Sequence, residues 1–415
     1  MASFLDQENF DGDKLTQEIF SLLENKFLFG SANPKNSSPT RKSDVSNENI
    51  FKNIPKSDVG KVRILSIDGC GATDGFLAAK ALVHLESSLC KKSGNPDARI
   101  SDFFDVGTGS GVGGILIALL FTKGEEDNGR AMFKANEALQ FIIKNRGKLI
   151  PSSSTKKGLF SGLFKSSSSK GHKIFRKMFG DATLRDTLKP VLIPCYDLST
   201  RAPFLFSRTD AMENDEFDFK LREVCSATSA DPMVKAFDMS SIDKKTRILA
   251  VDGGVAMNNP TAAAITHVLN NKQEFPFCNS VEDLLVVSLG NGVSDSSATP
   301  NFVKIGGEAS SDIIDESVSK AFDGCSTSIG SKNKLVDIAE KMLTQKNVES
   351  VLFRGKKVSE VTNLDKLEIF AGELLKEHQR RKISVLPTVM LKTSATPRSS
   401  SATSYWTSSP SPYQS

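Results

Sequence analysis

The 415 residues are enough to bury a large core, and 39% hydrophobic with 25% charged residues is the balance of an ordinary globular protein rather than a disordered or fibrous one. A net charge of +4 is too small at this length to point by itself to nucleic acid. No run approaches the roughly 18 consecutive apolar residues of a bilayer span, the opening residues Met1–Glu8 lack the apolar stretch of a secretory signal, and the six scattered cysteines (Cys70, Cys90, Cys195, Cys225, Cys278, Cys325) form no CxxC pair and no zinc-like spacing with histidine. A cytoplasmic protein with reduced thiols and no metal or other cofactor is the expectation.

Leu15, Ile19, Leu22, Leu23 and Phe27 recur at helical spacing, which predicts a helical extension over residues 1–30. Residues 31–58 are rich in Ser, Asn, Pro and Lys and read as a flexible linker. Ile64–Ile67 predicts a short strand that runs into the turn Asp68-Gly69-Cys70-Gly71, and Phe76–Leu89 repeats apolar residues at helical intervals. Phe103–Val106 predicts a second strand, followed by the small-residue run Gly107–Gly114 and an apolar helix as far as Phe121. Further strands are predicted at 190–197, 204–207, 247–251 and 284–289, with a helix over 260–270. Strands that alternate with helices imply a mainly parallel sheet covered on both faces. Beyond about residue 300 the pattern weakens. Residues 296–391 are expected to form a mostly helical extension, and the serine-rich stretch 392–415 a disordered tail.

Three segments follow predicted strands, where open α/β sheets place their sites. In Ser66–Gly71, Gly69, Cys70 and Gly71 can turn backbone N–H groups into a common space, as an oxyanion hole requires, or can simply make a tight turn. In Phe104–Gly114, a strand, a sharp turn and a helix follow the layout of a nucleophile elbow, GxSxG. The register Gly109-Ser110-Gly111-Val112-Gly113 puts glycine, not serine, at its tip. The same residues fit GxGxxG, the dinucleotide fingerprint, but no acidic residue ends a second strand about twenty positions on, since Glu125 and Glu126 come too early. In Val251–Pro260, Asp252-Gly253 is either a plain turn or a placed carboxylate.

In order and spacing, the three segments together resemble the patatin-like phospholipase family. The stretches Cys225–Pro232 and Ser288–Gly292 extend the match, so that it covers roughly residues 62–295. The resemblance implies a three-layer α/β/α fold. It also implies an acyl hydrolase in which a DGGGxRG turn supplies oxyanion donors, a GTSTGG elbow supplies serine, and DGG or DGA supplies the aspartate of a Ser-Asp dyad. Within the family, Pro194–Leu198, Phe206–Arg208 and Asn258–Ala264 look closest to the delta-type members of plant group III. Those carry glycine at the elbow and are described as probable inactive patatin-like proteins. Gly111 then takes the nucleophile's place, flanked by Gly109 and Gly113, and Asp252 is the retained dyad aspartate.

The chain departs further from the active pattern. Cys70 replaces the middle oxyanion glycine, Thr73 stands where the family has arginine, and Asp74 replaces the next glycine. A carboxylate beside an oxyanion site opposes the charge that develops there. Ser110 is one residue off the tip and Cys70 has no histidine to activate it, so acyl hydrolysis is expected to be absent or very slow.

Between Lys144 and Gly180 there is no acidic residue. Lys156, Lys157, Phe160, Phe164 and Lys165 stand out there as a mixture of basic charge and insertable aromatics, and Phe175 and Phe179 extend it. This pattern suits an anionic lipid surface. Together with the resemblance to a family of lipid hydrolases, it makes membrane glycerolipids or fatty acyl groups the expected partners. No base-stacking motif accompanies the charge, so nucleic acid is not.

Overall fold

In the computed structural model, the described residues are 60–69, 75–124, 129–149, 167–230, 236–291, 314, 335–351, 355–384 and 386–392. The predicted N-terminal helix, the 31–58 linker and all of the tail but Lys392 lie outside them. So do Cys70, Gly71, Thr73 and Asp74, and Lys156, Lys157, Phe160, Phe164 and Lys165.

Strand β1 (Val62–Ile67) alternates its side chains between two cores. Val62 and Ile64 face one, Leu65 and Ile67 the other, as the two-residue period of a strand requires. The larger core packs helices α1 (Phe76–Ser93), α2 (Gly111–Phe121), α3 (Ala135–Leu149), α4 (Ser167–Phe179) and α5 (Leu221–Thr228). The smaller core holds helix α6 (Thr261–Asn270) and the loop at Phe275 and Cys278. Helices thus cover both faces, giving the three-layer α/β/α arrangement, with unequal layers.

The seven-stranded sheet is parallel through β7 (Leu284–Leu289), β1, β2 (Val106–Gly109) and β3 (Val191–Asp197). Beyond β3 it turns antiparallel, with β4 (Ala202–Ser207) and β6 (Arg247–Asp252) on β3, and β5 (Phe237–Ser240) on β6. Strands 190–197, 204–207, 247–251 and 284–289 are therefore present within a residue or two, and α6 matches the predicted helix.

The predicted strand Phe103–Val106 is displaced. Ile100–Phe103 is instead a helical turn, closed where Asp102 Oδ2 accepts the Arg99 N–H at 2.8 Å, and the strand starts at Val106. The aromatic pair is buried from that turn. The strand uses small residues because α2 lies close above it. A Cβ at Gly109 would come under 3.0 Å from the backbone of Gly113, and one at Gly113 under 3.0 Å from the Ile67 carbonyl oxygen. One other expectation needs correction. Phe175 and Phe179 are core residues of α4 and are not available to a membrane. Beyond residue 300 the described residues include α7 (Leu335–Thr344), α8 (Asn363–Ile383) and a hairpin of β8 (Lys346–Val351) and β9 (Gly355–Thr362) that the sequence reading did not anticipate.

Helix α8 starts at Thr362, whose hydroxyl accepts the Asp365 N–H, and ends in a basic turn that suits the negative end of its dipole. From that turn Arg381 reaches Asp105, the residue before β2. Asp105 is 2% exposed and sits between Arg63 at 3.0 Å and Arg381 at 2.7 Å. Burial works against its ionisation, but the two guanidinia outweigh burial and hold the carboxyl well below the usual range. Its contribution to stability is complete above the ordinary carboxylate range and is lost as the pH falls from there toward the depressed folded value.

Arg381→Ala leaves this buried carboxylate with one partner and is expected to cost about 3 kcal/mol in urea unfolding at pH 7. Gly113→Ala drives a methyl group into backbone that cannot yield and should cost about 3 kcal/mol. A melting temperature equal to that of the parent chain would contradict the close approach.

Candidate active site

The elbow forms where β2 ends and α2 begins. Every residue of α2 is buried, so the helix cannot slide outward, and its first residue, Gly111, takes up φ +52°. That left-handed backbone is natural for glycine and costs other residues roughly 1 kcal/mol or more. Ser110 does not reach the tip. It is fully buried, its N–H donates to Ile67 O at 3.3 Å, and its hydroxyl donates to Asn258 O at 2.8 Å.

Asp252 arrives from the opposite direction. Although β6 runs antiparallel to β3, its end is drawn to the elbow by two backbone bonds. The Asp252 N–H donates to Ala230 O at 2.7 Å, and the Gly253 N–H to Thr228 O at 3.3 Å. The carboxylate is then oriented by the Gly254 N–H, which donates to Oδ1 at 2.9 Å. A Cβ placed on Gly111 would lie 3.5 Å from that same Oδ1, 3.5 Å from Gly69 Cα and 3.7 Å from Gly69 O, all ordinary contact distances. Among the described glycines from 107 to 114, position 111 is the one where a side chain fits and where it would face a carboxylate.

The Gly69 turn is held from two sides. The Asp68 N–H donates to Leu289 O at 3.0 Å, and the Gly69 N–H to Asn258 O at 3.1 Å. The Asn291 side chain donates to Asp68 O at 2.6 Å and accepts the Ala78 N–H at 3.4 Å. The structure therefore gathers Gly69, Gly109, Gly111, Gly113 and Asp252 at one place, while Cys70 and Gly71 lie outside the described residues. Glycine at 109 is explained by the close approach of α2 to β2, and glycine at 113 by its approach to the end of β1, so neither needs a pyrophosphate.

Sequence reasoning gave no role to Thr228, Asn258 or Asn291. Thr228 Oγ1 accepts the Gly111 N–H at 2.9 Å and so fixes the tip. Thr228 and Asn291 lie in stretches singled out only for their likeness to the family, Asn258 lies in the segment singled out for Asp252, and spacing along the chain carries no sign of hydrogen bonds made across more than a hundred residues. The described cysteines are not alternative nucleophiles. Cys90, Cys195, Cys225 and Cys278 are free thiols, and burial pushes each of them upward, away from the reactive thiolate.

Comparisons with known proteins bear on the family. Residues 65–265 match the family model of patatin-like phospholipases. The chain is 45% identical to patatin-like protein 7 of Arabidopsis thaliana over 94% of its own length and 86% of that protein. It is 44% identical to patatin-like protein 6 of the same plant, over 95% and 90%. It is also 42% identical to a protein described as probable inactive patatin-like protein 9, over 76% of this chain and 86% of that one. With the elbow, the Asp252 turn and the sheet in the expected order, the chain belongs to the patatin-like family of lipid acyl hydrolases.

Proposed function

We propose that the protein binds glycerolipids or fatty acyl groups at membrane surfaces and has lost the serine chemistry of its family, with hydrolysis absent or severely impaired. The carrying observation is Gly111, a side-chain-less elbow tip with room for a Cβ 3.5 Å from Asp252 Oδ1. A Ser-Asp dyad needs a hydroxyl at that place to form the acyl-enzyme. Losing the nucleophile of such a set costs about 10⁶ in turnover in the best-studied serine protease. Cys70 and Asp74, which stand where the active family pattern has glycine, would weaken the oxyanion side as well.

Support for a membrane role comes from charge. Lys144, Arg146 and Lys148 on α3 and Lys173, Arg176 and Lys177 on α4 are all exposed, and they flank the basic segment 150–166. No helix among the described residues is long and apolar enough to cross a bilayer, so contact would be from the surface. Each basic residue near an anionic surface contributes about 1 kcal/mol. Lys156, Lys157 and Lys165 would add to this charge, and Phe160 and Phe164 would supply the apolar insertion.

Vesicles containing phosphatidylglycerol should bind the purified chain, and less so as salt rises. Lys144→Glu, Lys148→Glu, Lys173→Glu and Lys177→Glu together should weaken binding by about 10²-fold or more. Unchanged binding would put the lipid-facing surface elsewhere. Fatty acid release from the bound vesicles should be negligible beside that of a serine-bearing family member. Fast release together with labelling by a fluorophosphonate probe would mean that another nucleophile serves the site.

A further inference from the structure

We infer that Thr228 is the positioning residue of the site, its hydroxyl and its carbonyl together setting the distance between the elbow tip and the Asp252 carboxylate. This assignment rests on Gly111 being the vacated place of the dyad serine. It adds what holds the two halves of the dyad in register.

The two halves come from different parts of the sheet. Gly111 follows β2, on the parallel side, whereas Asp252 ends β6, which pairs antiparallel with β3 as far as Cys195. Thr228, the last residue of α5, is fully buried and bonds to both. Its Oγ1 accepts the Gly111 N–H at 2.9 Å, and its carbonyl oxygen accepts the Gly253 N–H at 3.3 Å. Two residues on, Ala230 O accepts the Asp252 N–H at 2.7 Å, and the Ala230 N–H is tied back to Ala227 O at 3.2 Å. Pairing with β3 sets the Asp252 turn along the sheet, and the end of α5 sets it against the elbow.

The hydroxyl is aimed rather than free to turn. A Cβ at Gly114 would lie 3.1 Å from Thr228 Cγ2, so the threonine methyl is seated against α2 where that glycine leaves room. With one branch of a stiff β-branched side chain seated there, the other is directed at the Gly111 N–H. The Gly254 N–H bond to Asp252 Oδ1 orients the carboxylate within its own turn but does not tie that turn to the elbow. Register of this kind matters, because a displacement of about 1 Å at a reacting group can cost about 10²-fold in rate. Thr228 acts through Gly111 and Gly253, which makes its role one of positioning.

The test uses the full chain carrying Gly111→Ser, Cys70→Gly and Asp74→Gly, with fluorophosphonate labelling followed over a range of probe concentrations. Thr228→Val keeps the shape of the side chain and removes the acceptor. It should lower the limiting labelling rate by about 10²-fold and leave the half-saturating concentration little changed. Thr228→Ser keeps the acceptor and should label nearly as fast as the serine-bearing chain. Thr228→Ala should behave as the valine variant does, and replaces it if valine prevents folding. Val224→Ala, a buried change elsewhere on α5, should lower the melting temperature without slowing labelling. In the chain with Gly111 intact, Thr228→Val should speed amide hydrogen exchange over both 107–114 and 252–257, and Thr228→Ser should not. Folding of each variant is checked by its melting transition. A folded Thr228→Val or Thr228→Ala variant that labels at the undiminished rate, or a loss that Thr228→Ser shares, would overturn the inference and leave the vacated-site reading in place. A serine-bearing chain that does not label at all, with Thr228 intact, would remove both.

Discussion

The crossing of α2 over the end of β1 is the constraint on which the rest of the site depends. Helix α2 is buried along its whole length and starts against the backbone of Ile67 and Asp68. A side chain at 113 would force the two apart, and one at 109 would push α2 off the end of β2. Close contact at that point brings the Gly69 turn, the Gly111 tip and Asp252 within a few ångströms of one another. Gly111 differs from its neighbours. Its surroundings would accept a Cβ, so packing alone does not demand glycine there. The cost of a side chain at 111 is the left-handed backbone, which an elbow tip bears in any event.

A second contact ties this arrangement to the end of the chain. Asp105 sits immediately before β2, and its carboxylate is shared by Arg63 of β1 and Arg381 of α8. The same helix packs on α1. Elements that lie far along the chain from the family-like segment thus help to fix the strand that delivers the elbow. A buried carboxylate with two guanidinia is a specific device, because losing either partner leaves an unbalanced charge inside the protein.

Much of the fold was legible because the signals were local. The Val62–Ile67 run, the apolar repeat after Phe76 and the strands around 191, 204, 247 and 284 each carry their own period. The strand at Phe103–Val106 misled because two buried aromatics look like strand residues, whereas they pack from a helical turn and the pairing itself uses Val-Gly-Thr-Gly. Phe175 and Phe179 misled for a related reason. Basic neighbours suggested a surface, but on α4 they fall on the buried side while Lys173, Arg176 and Lys177 face outward. The hairpin at 346–362 has polar strands without a clear alternation, and no pattern announced it. In the candidate site, the glycines and Asp252 were readable from motif and order. Thr228, Asn258 and Asn291 were not, since their work is done by bonds between distant segments.

On the function proposed above, glycine at the elbow marks a lost nucleophile opposite a retained aspartate. The most direct measurement is covalent labelling by a fluorophosphonate after Gly111→Ser, alone and with Cys70→Gly and Asp74→Gly, each with and without Asp252→Ala. The account predicts no labelling of the parent chain, labelling that appears with serine at position 111 and increases in the triple variant, and its loss when Asp252 is removed. A folded triple variant that stays unlabelled would contradict it.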